Sequence, residues 1–220
     1  MKKLLATAVL ALGFAMPSNA AITITEINPS ETQTDINYFT WNNFKGDFAA
    51  QGVDLFFGGA SFDFTMDGTL TFEFVGAESG WNNSFGVTGT STYQETGGTT
   101  GLNLPGLFLG TQNVTVGGGE ASAWWFQNDQ GAGPVGTGNA QFGVFFDSSN
   151  YNATSGAYEV NEVYFAFDDN GANNDDDYDD MVIRATFTSA IPEPATWLMM
   201  IMGFGMIGMA TRRRRKLALS

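Results

Sequence analysis

Through the body of the chain, apolar and polar positions alternate in short runs rich in Phe, Thr and Val. These runs cover 22–27, 61–65, 69–75, 113–116, 122–127, 141–146, 162–167 and 181–188, and Gly, Asn and Asp clusters separate them. A period of two sends successive side chains to opposite faces, as in a strand with one buried side. Nowhere in the body is a helical period sustained over three turns. The pattern therefore predicts eight strands and an all-β fold, an antiparallel β-sandwich or jelly roll.

Two neighbouring predicted strands constrain their own connection, because Phe62 and Phe64 must share a buried side with Leu70 and Phe72. A two-residue Asp67-Gly68 turn would pair Met66 with Thr69 and put the two apolar sets on opposite faces. A three-residue loop, Met66-Asp67-Gly68, pairs Phe64 with Leu70 and Phe62 with Phe72. It also places Gly68 at a left-handed bulge position. A hairpin in that register is expected.

The pattern changes at both ends. Lys2 and Lys3, an apolar stretch over 4–16 and Ser18-Asn19-Ala20 make a signal peptide over 1–20, removed by signal peptidase before Ala21. After the body (21–190), the triplet Pro192-Glu193-Pro194 (191–194 with Ile191) precedes an apolar run and then Arg212, Arg213, Arg214, Arg215 and Lys216. The apolar positions 195–210 reach about 24 Å as a helix, short of a bilayer core of about 30 Å. Snorkelling arginines and local thinning close that gap. A transmembrane helix over 195–211 is thus expected, with the basic tail 212–220 cytoplasmic and the body outside.

Charge narrows the function. The body carries 22 acidic side chains against Lys45 and Arg184, a net charge of −20. It repels phosphate backbones and anionic headgroups, so nucleic acids and lipid surfaces are excluded as its partners. Cysteine and histidine are both absent. That removes disulfides, Ser-His-Asp and Cys-His nucleophile systems, the usual zinc sites and a histidine pH switch.

Acidity is concentrated between two predicted strands, where positions 168–180 hold seven carboxylates and three Asn amides. Like charges this dense repel strongly unless neutralised. Calcium takes six to eight oxygen ligands in flexible geometry, which makes Asp168, Asp169, Asn170, Asp175, Asp177 and Asp179 candidate ligands. In an extended segment the last three point to one side. The loop is not an EF-hand, since the sixth position holds Asp180 and the twelfth Thr186. The alternative is a solvated acidic loop with no ion.

Two other chemistries draw on the same residue types. A glycoside hydrolase needs two carboxyls about 5–10 Å apart across a cleft. Glu73 and Glu78 come nearest to that, but alternation puts Glu73 on the solvent face, so no catalytic residue and no enzyme is expected. Trp81, Trp124 and Trp125 are candidates for stacking on a sugar.

The tail resembles the PEP-CTERM sorting signal of Gram-negative bacteria, on Pro192, Glu193, Pro194, Trp197, the Met- and Gly-rich positions 199–205 and Arg212 to Arg215. That resemblance implies processing by an exosortase, a transpeptidase-like membrane enzyme. The chain would be anchored transiently in the inner membrane and released near the triplet to the cell surface or beyond, in bacteria that make exopolysaccharide and biofilm. The body also resembles an uncharacterised secreted β-domain often found ahead of this tail, over 68–74, 81–85, 165–169 and 175–183. This second resemblance implies an Asp-rich hairpin as a shared feature and assigns no reaction. Together these readings give an exported, exosortase-processed structural protein, calcium-stabilised and associated with exopolysaccharide. A carbohydrate-binding module is the alternative, and a carboxylate-only glycoside hydrolase the one after it.

Overall fold

A computed structural model describes residues 21–26, 34–36, 42–87, 93–99, 101–117, 124–130, 134–169, 177–190 and 199–208. The strands in chain order are β1 (Ile22–Glu26), β2 (Thr34–Asp35), β3 (Leu55–Gly58), β4 (Ala60–Phe64), β5 (Gly68–Gly76), β6 (Asn83–Val87), β7 (Tyr93–Gln94) and β8 (Leu107–Val114). They continue with β9 (Trp124–Asn128), β10 (Val135–Gly136), β11 (Phe142–Phe146), β12 (Tyr151–Asn152), β13 (Ala157–Val160), β14 (Glu162–Phe167) and β15 (Met181–Ser189). One short helix, α1 (Lys45–Ala50), stands between β2 and β3.

All pairings are antiparallel. A seven-stranded sheet runs β2-β3-β11-β14-β15-β5-β8, and two four-stranded sheets run β12-β13-β1-β4 and β10-β9-β6-β7. β14 sits at the middle of the large sheet. Its residues from Val163 to Phe167 are all buried, so both faces of the sheet must be covered there.

The two small sheets cover one face. Phe165 stacks on Trp124 of β9 at 4.9 Å and meets Phe62 of β4 edge-on at 5.4 Å, while Phe167 stacks on Phe126 at 5.1 Å. Helix α1 and the 101–106 segment cover the other face. Phe44 and Phe48, four residues apart and therefore on one side of the turn, reach Phe145, Tyr164 and Val182 with Leu102 and Leu104 packed alongside. Asp47 in the first helical turn accepts the Leu102 N–H at 2.9 Å, tying that segment to the helix.

Every predicted strand is present, and the expected face-to-face packing of antiparallel sheets is observed, but the 62–72 hairpin is not. β4 pairs with β1, and β5 pairs with β15 and β8. Phe62, Phe64, Leu70 and Phe72 do share one core, yet they approach it from two different sheets. A corner between facing sheets satisfies the same burial rule as a hairpin. Gly68 is needed for a different reason than the one expected: a Cβ there would run into the Phe187 ring and the Thr188 carbonyl.

Glu73, expected to face solvent, is instead paired directly opposite Arg184, whose Nε donates to its carboxylate at 2.9 Å. Arg184 also lies 4.0 Å from Glu162. The compact unit Ala20–Ile191 contains all of these elements.

In the second unit, residues 199–208 form a helix, about 15 Å long at 1.5 Å per residue, with Met199, Ile201, Phe204, Met206 and Ile207 exposed. Among the described residues no helix is long and apolar enough to cross a membrane. The rest of the expected 195–211 span, the signal peptide 1–20, the triplet with Trp197 and the arginines all lie outside the described residues.

Trp124 has no exposed surface, so its ring offers no face to a glycan, contrary to expectation. Its Nε1 donates to Gln112 at 2.6 Å. Trp124→Ala is expected to lower the unfolding free energy by about 3–5 kcal/mol in denaturant titration. A loss under about 1 kcal/mol would show that the indole does not act as core.

Candidate metal centre

The acidic segment continues β14 and leads into β15, whose ladder closes with Phe167 opposite Met181. Beyond that pair lie Asp168 and Asp169 on one side and Asp177, Tyr178, Asp179 and Asp180 on the other. These ends are not solvated. Asp168, Asp169, Asp177 and Asp179 are all buried, and Asp179 has no exposed surface.

Side-chain amides from four directions hold the segment by its carbonyls. Asn42 donates to Asp177 O at 2.7 Å, Asn83 to Asp180 O at 3.2 Å, Asn128 to Asp169 O at 3.0 Å and Gln141 to Asp168 O at 3.2 Å. Asn83 and Asn128 stand opposite each other on β6 and β9, so one small sheet delivers two of these donors. Tyr178 provides a further anchor. It adopts a left-handed φ of 57°, its hydroxyl donates to Ala140 O at 2.7 Å, and its ring packs on Phe56 at 4.5 Å. Packing of that ring and hydroxyl holds a conformation that L-residues rarely adopt.

The kink at Tyr178 interrupts the extended run expected between Asp177 and Asp179. Asp177 and Asp179 still come together, and Asp180, which alternation would turn away, joins them. Asp168 and Asp169 lie close enough for their charges to act on Asp180. Asp169 is bonded through both its carboxylate and its N–H: its Oδ2 accepts from Ser79 at 2.5 Å and from Asn83 at 3.1 Å, and its N–H donates to Asp180 at 2.8 Å. Asn170 and Asp175 lie outside the described residues.

Glu78 is a candidate ligand that sequence reasoning did not name as one. The β5–β15 ladder ends with Gly76 opposite Val182, so two more residues along each strand bring Glu78 beside Asp180. Its N–H donates to Asp179 O at 3.0 Å. One carboxylate oxygen from each of Glu78, Asp179 and Asp180 lies within 4.8 Å of the others. Ligands on one calcium, each at 2.3–2.6 Å, sit at most about 5 Å apart, so these three oxygens fit a single ion. Asp179 Oδ2 accepts the Asn43 N–H, but its Oδ1, fully buried, has no hydrogen-bond partner.

The electrostatics are one-sided. Asp179 is pushed up to about 8, first by burial and then by the charge of Asp177, a hydrogen bond with the Asp177 carboxyl and the charge of Glu78, against the pull of the Asn43 N–H. Asp180 is likewise pushed up to about 8 by burial and by Asp169, Asp177 and Asp168, against the Asp169 N–H. Burial and Asp169 push Glu95 up to about 8. Arg184, one of the two basic residues of the body, is spent on Glu73. Buried carboxylates without a cation must hold protons or meet one from outside. An all-oxygen donor set of this kind suits a hard cation such as calcium.

An antiparallel all-β domain bearing a buried carboxylate cluster is the class that fold and site define. Residues 190–215 match the family model of the PEP-CTERM protein-sorting motif, so the chain carries the tail of an exported protein processed by an exosortase. Neither curated proteins nor solved structures gave a match to the chain.

The raised carboxylates set the sign of a pH dependence. Between about pH 4 and pH 8 the folded chain holds more protons than the unfolded one, so stability falls as pH rises through that window. In chelator, the melting temperature is expected to drop from about pH 5 to about pH 8 and then level off, with saturating calcium flattening the slope. A melting temperature that climbs over that window in chelator would contradict this charge arrangement.

Proposed function

We propose that the 21–190 domain is a structural, non-enzymatic module fastened by calcium at the Asp-rich hairpin. In this reading it is displayed at the cell surface or released beyond it, in association with extracellular polysaccharide. The single observation that carries the calcium reading is Asp179 Oδ1, a fully buried acceptor without a donor, beside carboxylate oxygens of Glu78 and Asp180. Export supports it, since extracellular calcium modules bind in the range of about 0.1–1 mM and need only ambient calcium. Association with polysaccharide rests on the resemblance of the tail. Of the aromatic candidates for sugar stacking, Trp81 and Trp125 are half-buried and keep some exposed surface.

For the full chain in non-ionic detergent, millimolar calcium is expected to raise the melting temperature and chelator to reverse the rise. Calcium at a hundredfold excess over Kd corresponds to about 2.7 kcal/mol of added stability. Asp179→Asn is expected to remove most of the calcium-dependent increment while raising the melting temperature in chelator, because a buried charge is lost. No shift on adding calcium to the wild-type chain would sink the reading.

A further inference from the structure

A second set of donorless oxygens adjoins Asp169, on Asn83 and Glu95. Asn83 and Glu95 face each other where β6 begins. The Glu95 N–H donates to Asn83 O at 3.0 Å, and the Asn83 N–H donates to Glu95 Oε1 at 3.2 Å. Both side chains are buried, Asn83 completely, and both keep one acceptor with no donor: Asn83 Oδ1 and Glu95 Oε2. The orientation of the Asn83 amide is fixed by its neighbours. Nδ2 donates to Asp169 Oδ2 at 3.1 Å and to Asp180 O at 3.2 Å, so a flipped amide would set its oxygen against two acceptors.

We infer that Glu95, Asn83 Oδ1 and Asp169 form a second divalent-cation position, next to the one at Glu78, Asp179 and Asp180. Both donorless oxygens call for a donor or a cation, since a buried acceptor left unmade is costly and a buried carboxylate more so. The set is again all oxygen, a carboxylate from each of two elements and an amide carbonyl, which is calcium-type ligation. Asp169 lies between the groups: it bonds Asn83 on one side and Asp180 on the other. A cation at each position leaves none of the three side-chain oxygens at Asn83, Glu95 and Asp179 without a partner. The inference rests on the reading of the hairpin as a cation site and extends it to a paired centre.

The test is equilibrium dialysis of radioactive calcium on the full chain in non-ionic detergent, at saturating ion and pH 8, for wild type, Glu95→Gln and Asp179→Asn. Glu95→Gln is expected to bind one ion per chain fewer than wild type, and Asp179→Asn to lose a different one. The two losses add in the double variant. Far-ultraviolet circular dichroism in chelator checks that each variant folds, and Glu95→Gln is expected to melt higher than wild type there because a buried charge is gone. Unchanged stoichiometry in a folded Glu95→Gln overturns the second position and leaves the first standing, and would mean that Glu95 meets Asn83 Oδ1 through its own proton. A loss in Glu95→Gln with none in Asp179→Asn keeps the second position and overturns the first. No bound calcium in the wild type overturns both. If Glu95→Gln fails to fold, Asn83→Asp at the same position is expected to retain the ion with tighter binding, and a loss of that ion would overturn the inference.

Discussion

Glu95, Asp179 and Asp180, which burial and neighbouring carboxylates push up with no basic side chain opposing, are the constraint around which this domain is arranged. Removing such groups from water is expensive unless charge or protons compensate. The structure meets part of that demand with dipoles. Asn42, Asn83, Asn128 and Gln141 secure the backbone of the acidic segment, and the Asn43 and Asp169 N–H groups each reach a carboxylate. Amide donors restrain the geometry but supply no net charge. The cluster is also not peripheral: it continues β14 and β15, the strands at the centre of the large sheet, and Tyr178 and Val182 belong to the core under α1. Charge compensation in the hairpin and packing in the interior are therefore coupled through a few residues of chain.

Alternation marked eight of the described strands and missed β6 and β13. Each of the eight runs overlaps a strand, although β11 and β14 are buried on both faces and the 113–116 run meets β8 only at Asn113 and Val114. β3 escaped because Leu55–Gly58 is buried on both sides and shows no alternation. β2, β7, β10 and β12 have two residues each, too few for a period. Helix α1 has six residues and cannot show three turns of pattern. The failed 62–72 hairpin is more instructive. Apolar alternation specifies which side chains meet, and a sheet-to-sheet corner brings Phe62 and Phe72 into one core as well as a hairpin would.

At the site, residue type was informative and spacing was not. Asp-rich composition pointed to the segment that carries the buried carboxylates, and Asp177 and Asp179 come together in it. Asp180 and Glu78 were hidden by backbone irregularities. Tyr178 in a left-handed conformation rephases the segment before β15, and a register shift between Val182 and Ile183 sets which residue of the β5 extension lies opposite Asp180. Tyr178 lacks the Gly or Asn signature that usually marks a left-handed position, and the register shift falls beside Gly76. Trp124 is closed to a sugar for a related reason. Trp124 and Trp125 are adjacent in sequence, so a strand sends them to opposite sides, and Trp124 took the core side.

The tail and the site are compatible: the matched sorting motif marks an exported chain, and the buried carboxylates form an all-oxygen group that suits a hard cation of the kind abundant outside. The most direct measurement is an anomalous difference map from crystals saturated with calcium, collected at long wavelength. The expected result is a peak about 2.3–2.6 Å from Asp179 Oδ1, shared with oxygens of Glu78 and Asp180. Calcium-saturated crystals in which Asp179 Oδ1 contacts only water or a neighbouring protonated carboxyl, with no anomalous density beside it, would contradict the cation-fastened hairpin.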